Sequence, residues 1–506
     1  MSVALVLSWR DGVTAAAAGA GSLAVQGPCG QVSLREVAPA VLGALRRLDP
    51  PGEREDRLLD AVRGDGNGCL TRWYYYLERL NRRGLICYGA NSNATRLATL
   101  VPISSSFVWS PAQPISGRRY VLSRFAYMRR AADEAVLESP LTHTRVVLHN
   151  RHGAALVGAL AASATLEELG GQVGGLSADA IAAMVTLLLR AGMLSETDVG
   201  EEDAALQTWE FHDLLFHARC RMSQFDVLRG ATYRLAGKVA PPPALKPAPV
   251  GEGQELYRPD MAQLERDDPS LTRVLERRCS AHEFDAEHPI TARQLGEFLY
   301  RVGRVKHQWQ AEVATDHGLV PMDFASRPYP AGGALYELEL YAAVNVCVGL
   351  GPGLYYYDPS PHRLIRCCGR TADVGGLLRD AAQSTGVAED CIQVLFIVAA
   401  RFPRVAWKYE SIAYALTLKH VGVVFQTMYL AATAMGLGPC AVGCGDAELF
   451  ARAAGADHRA ETSVGEFLLG SQRHRETYPF RSFGDSRLAD CGDDLPRRGR
   501  AGTRSP

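Results

Sequence analysis

The stretch CIQVLFIVAARFPRVAWKYESIAYALTLKHVGVVFQTMYLAATAMG (residues 391–436) contains two elements of a helix-and-sheet fold and an unusual polar pair between them. Residues 391–400 form a continuous apolar run of the length of a buried strand. Residues 416–436 predict a long helix that is apolar over much of its circumference and therefore belongs in a core. Lys408 and Tyr409 lie between these elements. They are either a helix start with a solvated amine or a pair that handles a proton.

The whole chain has the composition of a globular protein, with 506 residues, 47% of them hydrophobic and 22% charged. This length exceeds that of one compact core and predicts two to four domains. The 54 basic residues are balanced by 55 acidic ones. This balance argues against nucleic acid as a partner, because a dedicated binder shows a basic surplus.

The sequence predicts neither a membrane segment nor an export signal. No apolar run approaches the ~20 residues that span a bilayer. Residues 1–20 lack a basic start, and Trp9, Arg10 and Asp11 interrupt their apolar character. The 12 cysteines show no C-x-x-C spacing, which predicts reduced thiols and no metal site. We therefore expect a cytoplasmic protein without a metal ion or a membrane partner.

A proline-rich stretch, LAGKVAPPPALKPAPVGEGQE (residues 235–255), divides the chain into two halves. Its prolines favour an extended, semi-rigid spacer. The last residues have little apolar content and are expected to be disordered. The predicted organisation is two N-terminal modules, a linker, one larger C-terminal domain and a tail, at residues 1–110, 111–235, 236–255, 256–483 and 484–506.

Two segments of the N-terminal half, residues 70–88 and 176–196, share a pattern of a helix, a glycine and a short strand. Both show the apolar spacing of three and four that predicts a helix. In the second, Ser177 is the predicted N-cap and Gly192 the stop. This pattern is typical of a winged-helix unit and predicts an α+β protein with two winged-helix-like modules; two helix–strand joints in one α+β domain are the alternative. A winged helix offers a groove and a strand edge to an extended peptide.

Three clusters in the C-terminal half carry groups that bind anions or flat rings. Arg277, Arg278, Ser280 and His282 form a candidate phosphate cradle, for which a basic surface patch is the alternative. Residues 330–333 predict a turn whose amides can hydrogen-bond a ring system or an anion, with an ordinary loop as the alternative. The glycine-rich residues 436–446 allow close approach of a ligand to the backbone. Their G-x-G-x-x-A match follows a helix and is not a dinucleotide fingerprint.

In this order the clusters resemble the nitroreductase-like FMN fold, and more closely its SagB-type branch of dehydrogenases. These are the azoline oxidases of ribosomal peptide biosynthesis, to which McbC-like and cyanobactin oxidases belong. The resemblance covers residues 265–475 well and the N-terminal half more loosely, where longer members of the branch carry winged-helix-like peptide-binding domains. It implies a C-terminal FMN domain with a central sheet flanked by helices.

The resemblance also implies site residues. In this branch a Lys-Tyr pair is the catalytic signature, and Lys408 and Tyr409 match it. The implied FMN-binding residues are Arg278, Ser280, His282, Pro330, Ala331, Gly332, Gly333, Ala441, Val442, Gly443, Cys444 and Arg473. Two of them depart from the branch's pattern, because His282 replaces Arg or Lys and Ala331 replaces Ser.

The activity that the resemblance implies is FMN-dependent oxidation of thiazoline or oxazoline rings to thiazoles or oxazoles. The substrate would be a heterocyclised precursor peptide, with dioxygen as the electron acceptor. We expect Tyr409 to be the base, with its phenolate favoured by the Lys408 ammonium; the reverse assignment stays open. A homodimer is implied, and a complex with a cyclodehydratase is left open. The alternatives are a flavin dehydrogenase of another peptide or small molecule and a peptide-binding regulator with an inactive flavin domain.

Overall fold

The computed structural model describes residues 5–19, 21–27, 30–64, 67–93, 95–196, 203–225 and 227–472. These residues form an α+β protein with one seven-stranded sheet in each half, and the predicted fold class is confirmed. Within the described ranges, no helix is both long and apolar enough to cross a membrane. The predicted tail and Arg473 lie outside the described residues.

The N-terminal half contains thirteen strands and eight helices within its described residues. The strands are β1 (Val6–Trp9), β2 (Thr14–Ala17), β3 (Leu23–Gly27), β4 (Gly30–Leu34), β5 (Glu53–Arg54), β6 (Ile86–Ser92), β7 (Thr95–Pro102), β8 (Tyr120–Leu122), β9 (Tyr127–Ala131), β10 (Glu134–Glu138), β11 (Thr144–Leu148), β12 (Leu194–Glu196) and β13 (Gly230–Ala231). The helices are α1 (Pro39–Arg46), α2 (Glu55–Arg63), α3 (Asn67–Asn81), α4 (Arg151–Ala159), α5 (Leu166–Gln172), α6 (Ala178–Arg190), α7 (Ala204–Gln207) and α8 (Phe211–Arg221).

Three antiparallel strands followed by three helices occur twice in this half, as β2–β4 with α1–α3 and as β9–β11 with α4–α6. The predicted helices are α3 and α6, and a strand follows each. Ser177 caps α6 by accepting a hydrogen bond from the Ala180 amide, and Gly192 follows the helix with φ +70°. The first sheet has the strand order β5-β1-β6-β7-β11-β10-β9. It crosses the predicted boundary at residue 110, because β7 pairs with β11.

The C-terminal half contains ten strands and seven helices within its described residues. The strands are β14 (Gly253–Glu255), β15 (His307–Thr315), β16 (Gly318–Ser326), β17 (Leu338–Val344), β18 (Gly353–Asp358), β19 (Arg363–Cys368), β20 (Val394–Ala400), β21 (Tyr409–Glu410), β22 (Leu437–Val442) and β23 (Thr462–Ser471). The helices are α9 (Met261–Asp267), α10 (Leu271–Arg277), α11 (Ala292–Gly303), α12 (Ala372–Thr385), α13 (Phe402–Lys408), α14 (Ala413–Ala434) and α15 (Ala447–Ala454).

The second sheet has the strand order β14-β19-β18-β17-β20-β23-β22 and is antiparallel throughout. Every residue of β17 and β20 is buried, so most of the apolar run at 391–400 forms the buried strand that its composition predicted. The long helix α14 packs Val424 and Met428 into the same core as Phe298 and Phe396. The buried residues that α14 gives to this core extend from Val421 to Ala432.

The stretch after α14 differs from its expected loop, because Leu437–Val442 forms the edge strand β22. Gly438 and Pro439 have low strand propensity, but Pro at a sheet edge loses no ladder bond. The Pro439 carbonyl accepts a hydrogen bond from the Ala281 amide. Tertiary packing therefore produces a strand here that the local composition did not predict.

The predicted linker is not a free spacer. Part of it lies against α13 in a segment that we name the strap, residues 228–246. Arg401 donates to the carbonyls of Pro243 and Ala244, and Trp407 Nε1 donates to the Val239 carbonyl over 2.7 Å. Further along the strap, Lys246 Nζ contacts Glu461 and donates to Tyr341 Oη. These contacts fix the strap on the C-terminal domain.

Candidate active site

Lys408 and Tyr409 lie at the end of a helix. Pro403 stands in the first turn of α13, where its missing N–H costs nothing, and Lys408 is the last helical residue. Tyr409 is extended, with φ −108° and ψ 135°. Adjacent residues of a regular helix point about 100° apart. The break between Lys408 and Tyr409 therefore lets both side chains reach one site.

That site is at Gly333. This residue has φ +63°, and a methyl group on it would lie 2.6 Å from Tyr409 Oη and 2.7 Å from Lys408 Nζ. The two polar tips therefore meet over a bare backbone in the predicted turn, which forms a 3-10 helix over Gly332–Ala334. Only glycine satisfies both the left-handed conformation and this close approach.

The turn is fixed by two residues that the sequence did not single out. The Gly332 amide donates to His420 Nε2 over 2.7 Å, and His420 Nδ1 lies 2.7 Å from Glu337 Oε1. Since Nε2 accepts, the ring proton is on Nδ1 and is donated to the carboxylate. Both side chains are buried. A histidine on the apolar helix α14 and an acidic residue beside the buried strand β17 were the available signals.

The protonation tendencies of the pair differ from the expectation. Burial lowers the pKa of the Lys408 amine, and the Arg404 guanidinium lowers it further. Burial raises the pKa of Tyr409, and the Tyr233 phenol adds to that rise. The expected lowering of the Tyr409 pKa by Lys408 is therefore wrong, because desolvation disfavours the charged form of both groups.

Lys408 is partly buried, and three aromatic rings flank its amine. Its Nζ lies 5.5 Å from the centre of the Tyr409 ring, 5.9 Å from that of Tyr233 and 6.0 Å from that of Phe324. Phe324 in turn stacks on Trp309 of the hairpin formed by β15 and β16. These rings contribute to the burial that lowers the pKa of Lys408.

The residues of the predicted phosphate cradle form a second cluster, which contacts α14 through Tyr429. Ser280 Oγ lies 2.8 Å from Tyr429 Oη, and the Arg278 guanidinium lies 5.2 Å from the Tyr429 ring centre. Tyr429 Oη also accepts a hydrogen bond from the Ala441 amide. Tyr429, which the sequence did not indicate, therefore joins the cradle to β22. His282 binds the Thr385 carbonyl through Nδ1, which leaves Nε2 for a ligand.

The other predicted residues are placed around these two clusters. Pro330 is exposed, and Ala331 packs partly against the core beneath the turn. Ala441 and Val442 belong to β22, while Cys444 is exposed with its thiol 3.4 Å from Ser384 Oγ. Cys444 and His282 thus both lie at the C-terminal end of α12. The structure does not bring them to Lys408.

The two clusters are arranged along one helix. His420 and Tyr429 of α14 are nine residues apart in the sequence, which corresponds to about 13.5 Å along the axis. Lys408, Tyr409 and the Gly-Gly turn lie near His420, and the cationic and hydroxyl groups lie near Tyr429. Nine residues also correspond to about two and a half turns, so His420 and Tyr429 lie on opposite sides of α14.

Family models match three parts of the chain. The model described as the ThcOx helix turn helix domain matches residues 1–109, and the cyanobactin oxidase ThcOx model matches residues 120–226. The nitroreductase family model matches residues 275–470. A curated protein of Methanocaldococcus jannaschii named as a nitroreductase is 29% identical over 194 residues, which are 38% of this chain and 86% of that protein.

Similar folds occur among solved structures. A crystal structure from Ralstonia eutropha, named as a nitroreductase, is 19% identical with a TM-score of 0.34 and covers 49% of this chain and 100% of its own. The Escherichia coli microcin synthetase McbBCD complex with truncated pro-MccB17 bound contains a chain that is 16% identical, with a TM-score of 0.32 and coverage of 48% and 88%. A Bacteroides fragilis nitroreductase with bound FMN is 14% identical, with a TM-score of 0.25 and coverage of 44% and 98%.

The matched segments follow one another in the order of the two halves described above. The nitroreductase match spans both clusters on α14 and the Lys408–Tyr409 junction. The two other matches cover the repeated strand-and-helix units. The chain is therefore an oxidoreductase whose C-terminal half has the nitroreductase-like fold, and its N-terminal half matches the helix-turn-helix and oxidase models of the cyanobactin oxidases.

Proposed function

We propose that the protein is an FMN-dependent dehydrogenase that oxidises thiazoline or oxazoline rings of a ribosomal precursor peptide to the aromatic azoles. The observation that carries this proposal is the convergence of Lys408 Nζ and Tyr409 Oη on Gly333. Aromatisation of an azoline removes a hydride and a proton. Bound FMN supplies the hydride acceptor, so the protein must supply a base at the ring.

Lys408 is the base in this proposal. A lysine accepts a proton only when its amine is neutral, and burial together with Arg404 lowers the pKa of Lys408. Tyr409 keeps its proton because burial raises its pKa. Its hydroxyl then orients the ring by donating a hydrogen bond. This arrangement corresponds to the reverse assignment that the sequence left open.

Each of the two clusters suits one part of FMN. Arg278 and Ser280 would hold the phosphate, because a guanidinium and a hydroxyl are common phosphate donors. Ser280 is held by Tyr429. The flat ring would lie at Gly332 and Gly333, where a side chain would fill the space before Lys408. Dioxygen is the proposed electron acceptor.

The N-terminal half would hold the precursor peptide. A groove of about 420 Å3 lies on one face of its seven-stranded sheet. Arg96, Arg145 and His149 line it beside Trp9, and such a mixture of charged and aromatic groups suits a peptide. A cyclodehydratase in the same assembly would supply the azolines. The described cysteines are free thiols, which fits the reducing cytoplasm as the proposed compartment.

A homodimer is the proposed assembly. The helices α10 and α14 pack against each other, and each exposes large apolar side chains. Leu271 is 66% exposed and Leu418 is 40% exposed. A contiguous patch formed by such side chains would mark an association site. Light scattering of the flavin-loaded protein should give the mass of two chains; a flavin-loaded monomer would contradict the proposal.

The direct test is aerobic incubation of the purified yellow protein with a peptide that carries one thiazoline. Mass spectrometry should show the loss of two hydrogens, and the flavin absorbance should bleach when the peptide is added without oxygen. Bleaching by NAD(P)H alone, with no change in the peptide, would refute the proposed activity and point to a nitroreductase.

A further inference from the structure

The strap touches the catalytic pair directly. Gly230 and Ala231 form the two-residue strand β13, which pairs with Glu410 and Tyr409 of β21. Thr232 donates from Oγ1 to Glu410 Oε2 over 2.9 Å. These contacts give Glu410, the residue after the pair, a structural role in holding the strap. The chain that joins the two halves is thus paired with the backbone of the active site.

The next residue of the strap, Tyr233, reaches Lys408 twice. Its amide donates to the Lys408 carbonyl over 3.1 Å. Its ring lies 5.9 Å from Lys408 Nζ and meets the Trp407 ring edge to face at 5.7 Å. A single strap residue therefore contacts both the backbone and the amine of Lys408.

Tyr233 holds a backbone conformation that bulky residues avoid. Its φ is +52°, in the left-handed region where side chains other than those of Gly, Asn and Asp are rare. Such conformations cluster at functional sites and persist only when surrounding contacts fix them. Contacts with Lys408 and Trp407, together with a hydrogen bond from the Ala236 amide to the Tyr233 carbonyl, fix this residue. A glycine would adopt the same backbone conformation without strain. The presence of tyrosine therefore indicates that the side chain itself has a role.

We propose that Tyr233 is a positioning residue for Lys408, and that its ring shields the amine from water on the side of the strap and holds it over Gly333. The inference rests on the proposed function, in which Lys408 is the base. The ionisable groups that face the amine are Arg404 of α13, Tyr409 of β21 and Tyr233 itself. Phe324 of β16 closes another side. Removal of the Tyr233 ring should therefore let water reach the amine and favour its charged form.

The test measures the protonation of Lys408 without any substrate. The chain has five lysines, so pulse labelling with acetic anhydride at a series of pH values, read by peptide mass spectrometry, gives a separate titration midpoint for each. Tyr233→Gly removes the ring and relieves the backbone strain. Tyr233→Asn also tolerates a left-handed backbone. Tyr233→Phe keeps the ring, and Thr232→Val changes the neighbouring strap contact only.

The Lys408 midpoint should shift to higher pH in Tyr233→Gly and in Tyr233→Asn, and it should stay at the wild-type value in Tyr233→Phe and Thr232→Val. The exposed Lys419 on α14 serves as the reference that no variant moves. An unchanged Lys408 midpoint in both ring-deleted variants, with Lys419 labelled as in the wild type, would overturn the inference.

The outcome also separates this inference from the proposed function. If the wild-type protein does not oxidise an azoline peptide but the Lys408 midpoint moves as described, the function is wrong and the positioning role stands. If azoles form but the ring-deleted variants keep both the wild-type midpoint and the wild-type kcat, the function stands and the positioning role is wrong.

Discussion

Substitution of Gly333 by alanine tests the geometry of the site most sharply. The new methyl carbon would lie 2.6 Å from Tyr409 Oη and 2.7 Å from Lys408 Nζ, whereas ordinary non-bonded carbon contacts begin near 3.5 Å. Both polar tips must therefore retreat by roughly 1 Å, and a misplacement of that size costs about 10²-fold in rate. We expect kcat for azole formation to fall by about that factor.

The stability of this variant changes for a different reason. At φ +63° an alanine costs about 1–2 kcal/mol in the left-handed conformation. Gly455 has φ +65° and no atom within 4 Å of a methyl group placed on it. Gly455→Ala therefore has the same backbone cost without the clash and serves as the matched control. Urea unfolding should show similar losses in the two variants, and only Gly333→Ala should lose activity. Wild-type kcat in Gly333→Ala would refute the placement of the pair.

Two other predictions concern the base and the cofactor. The rate of azole formation should rise with pH, with a midpoint below the ordinary lysine pKa of about 10.4. The reason is that Lys408 acts as the neutral amine and its pKa is lowered. A rate that falls with pH across this range would contradict Lys408 as the base. Arg278→Ala and Ser280→Ala should lower the FMN retained after gel filtration by about tenfold or more, since hydrogen bonds to charged groups contribute about 1.5–3 kcal/mol each. Arg277→Ala, next in the chain but outside the Tyr429 contacts, should retain the flavin.

The sequence predicted the elements whose local pattern and tertiary role agree. The apolar run of β20 could only be a buried strand, and α14 carries enough apolar surface to require a core position. Lys408 and Tyr409 stood out because they are adjacent in the chain, and the resemblance to the SagB-type branch singled them out as a catalytic pair. Gly332 and Gly333 were found because glycine pairs mark turns.

The remaining parts depend on contacts between distant residues. His420 reaches Gly332 across 88 positions and Tyr429 reaches Ser280 across 149, and neither pair leaves a local pattern. The strap was read as a spacer because its prolines favour extended chain. Its backbone carbonyls nevertheless accept hydrogen bonds from Arg401 and Trp407, and carbonyl acceptors have no sequence signature.

The raised pKa of Tyr409 was missed for a related physical reason. From the sequence, an adjacent lysine suggests an opposite charge that favours the phenolate. In the folded chain, burial acts on both groups and the Tyr233 phenol lies beside them. Desolvation depends on the surrounding rings, which come from β16 and the strap. It could not be judged from two neighbouring residues.

The central claim is that Lys408 removes the ring proton with Tyr409 beside it. The most direct measurement is azole formation from a thiazoline peptide by Lys408→Met and Tyr409→Phe, with FMN content matched to the wild type. We predict loss of azole formation in Lys408→Met with flavin retained, and a smaller loss in Tyr409→Phe, in which only the hydroxyl is removed. Wild-type azole formation by flavin-loaded Lys408→Met would contradict the account.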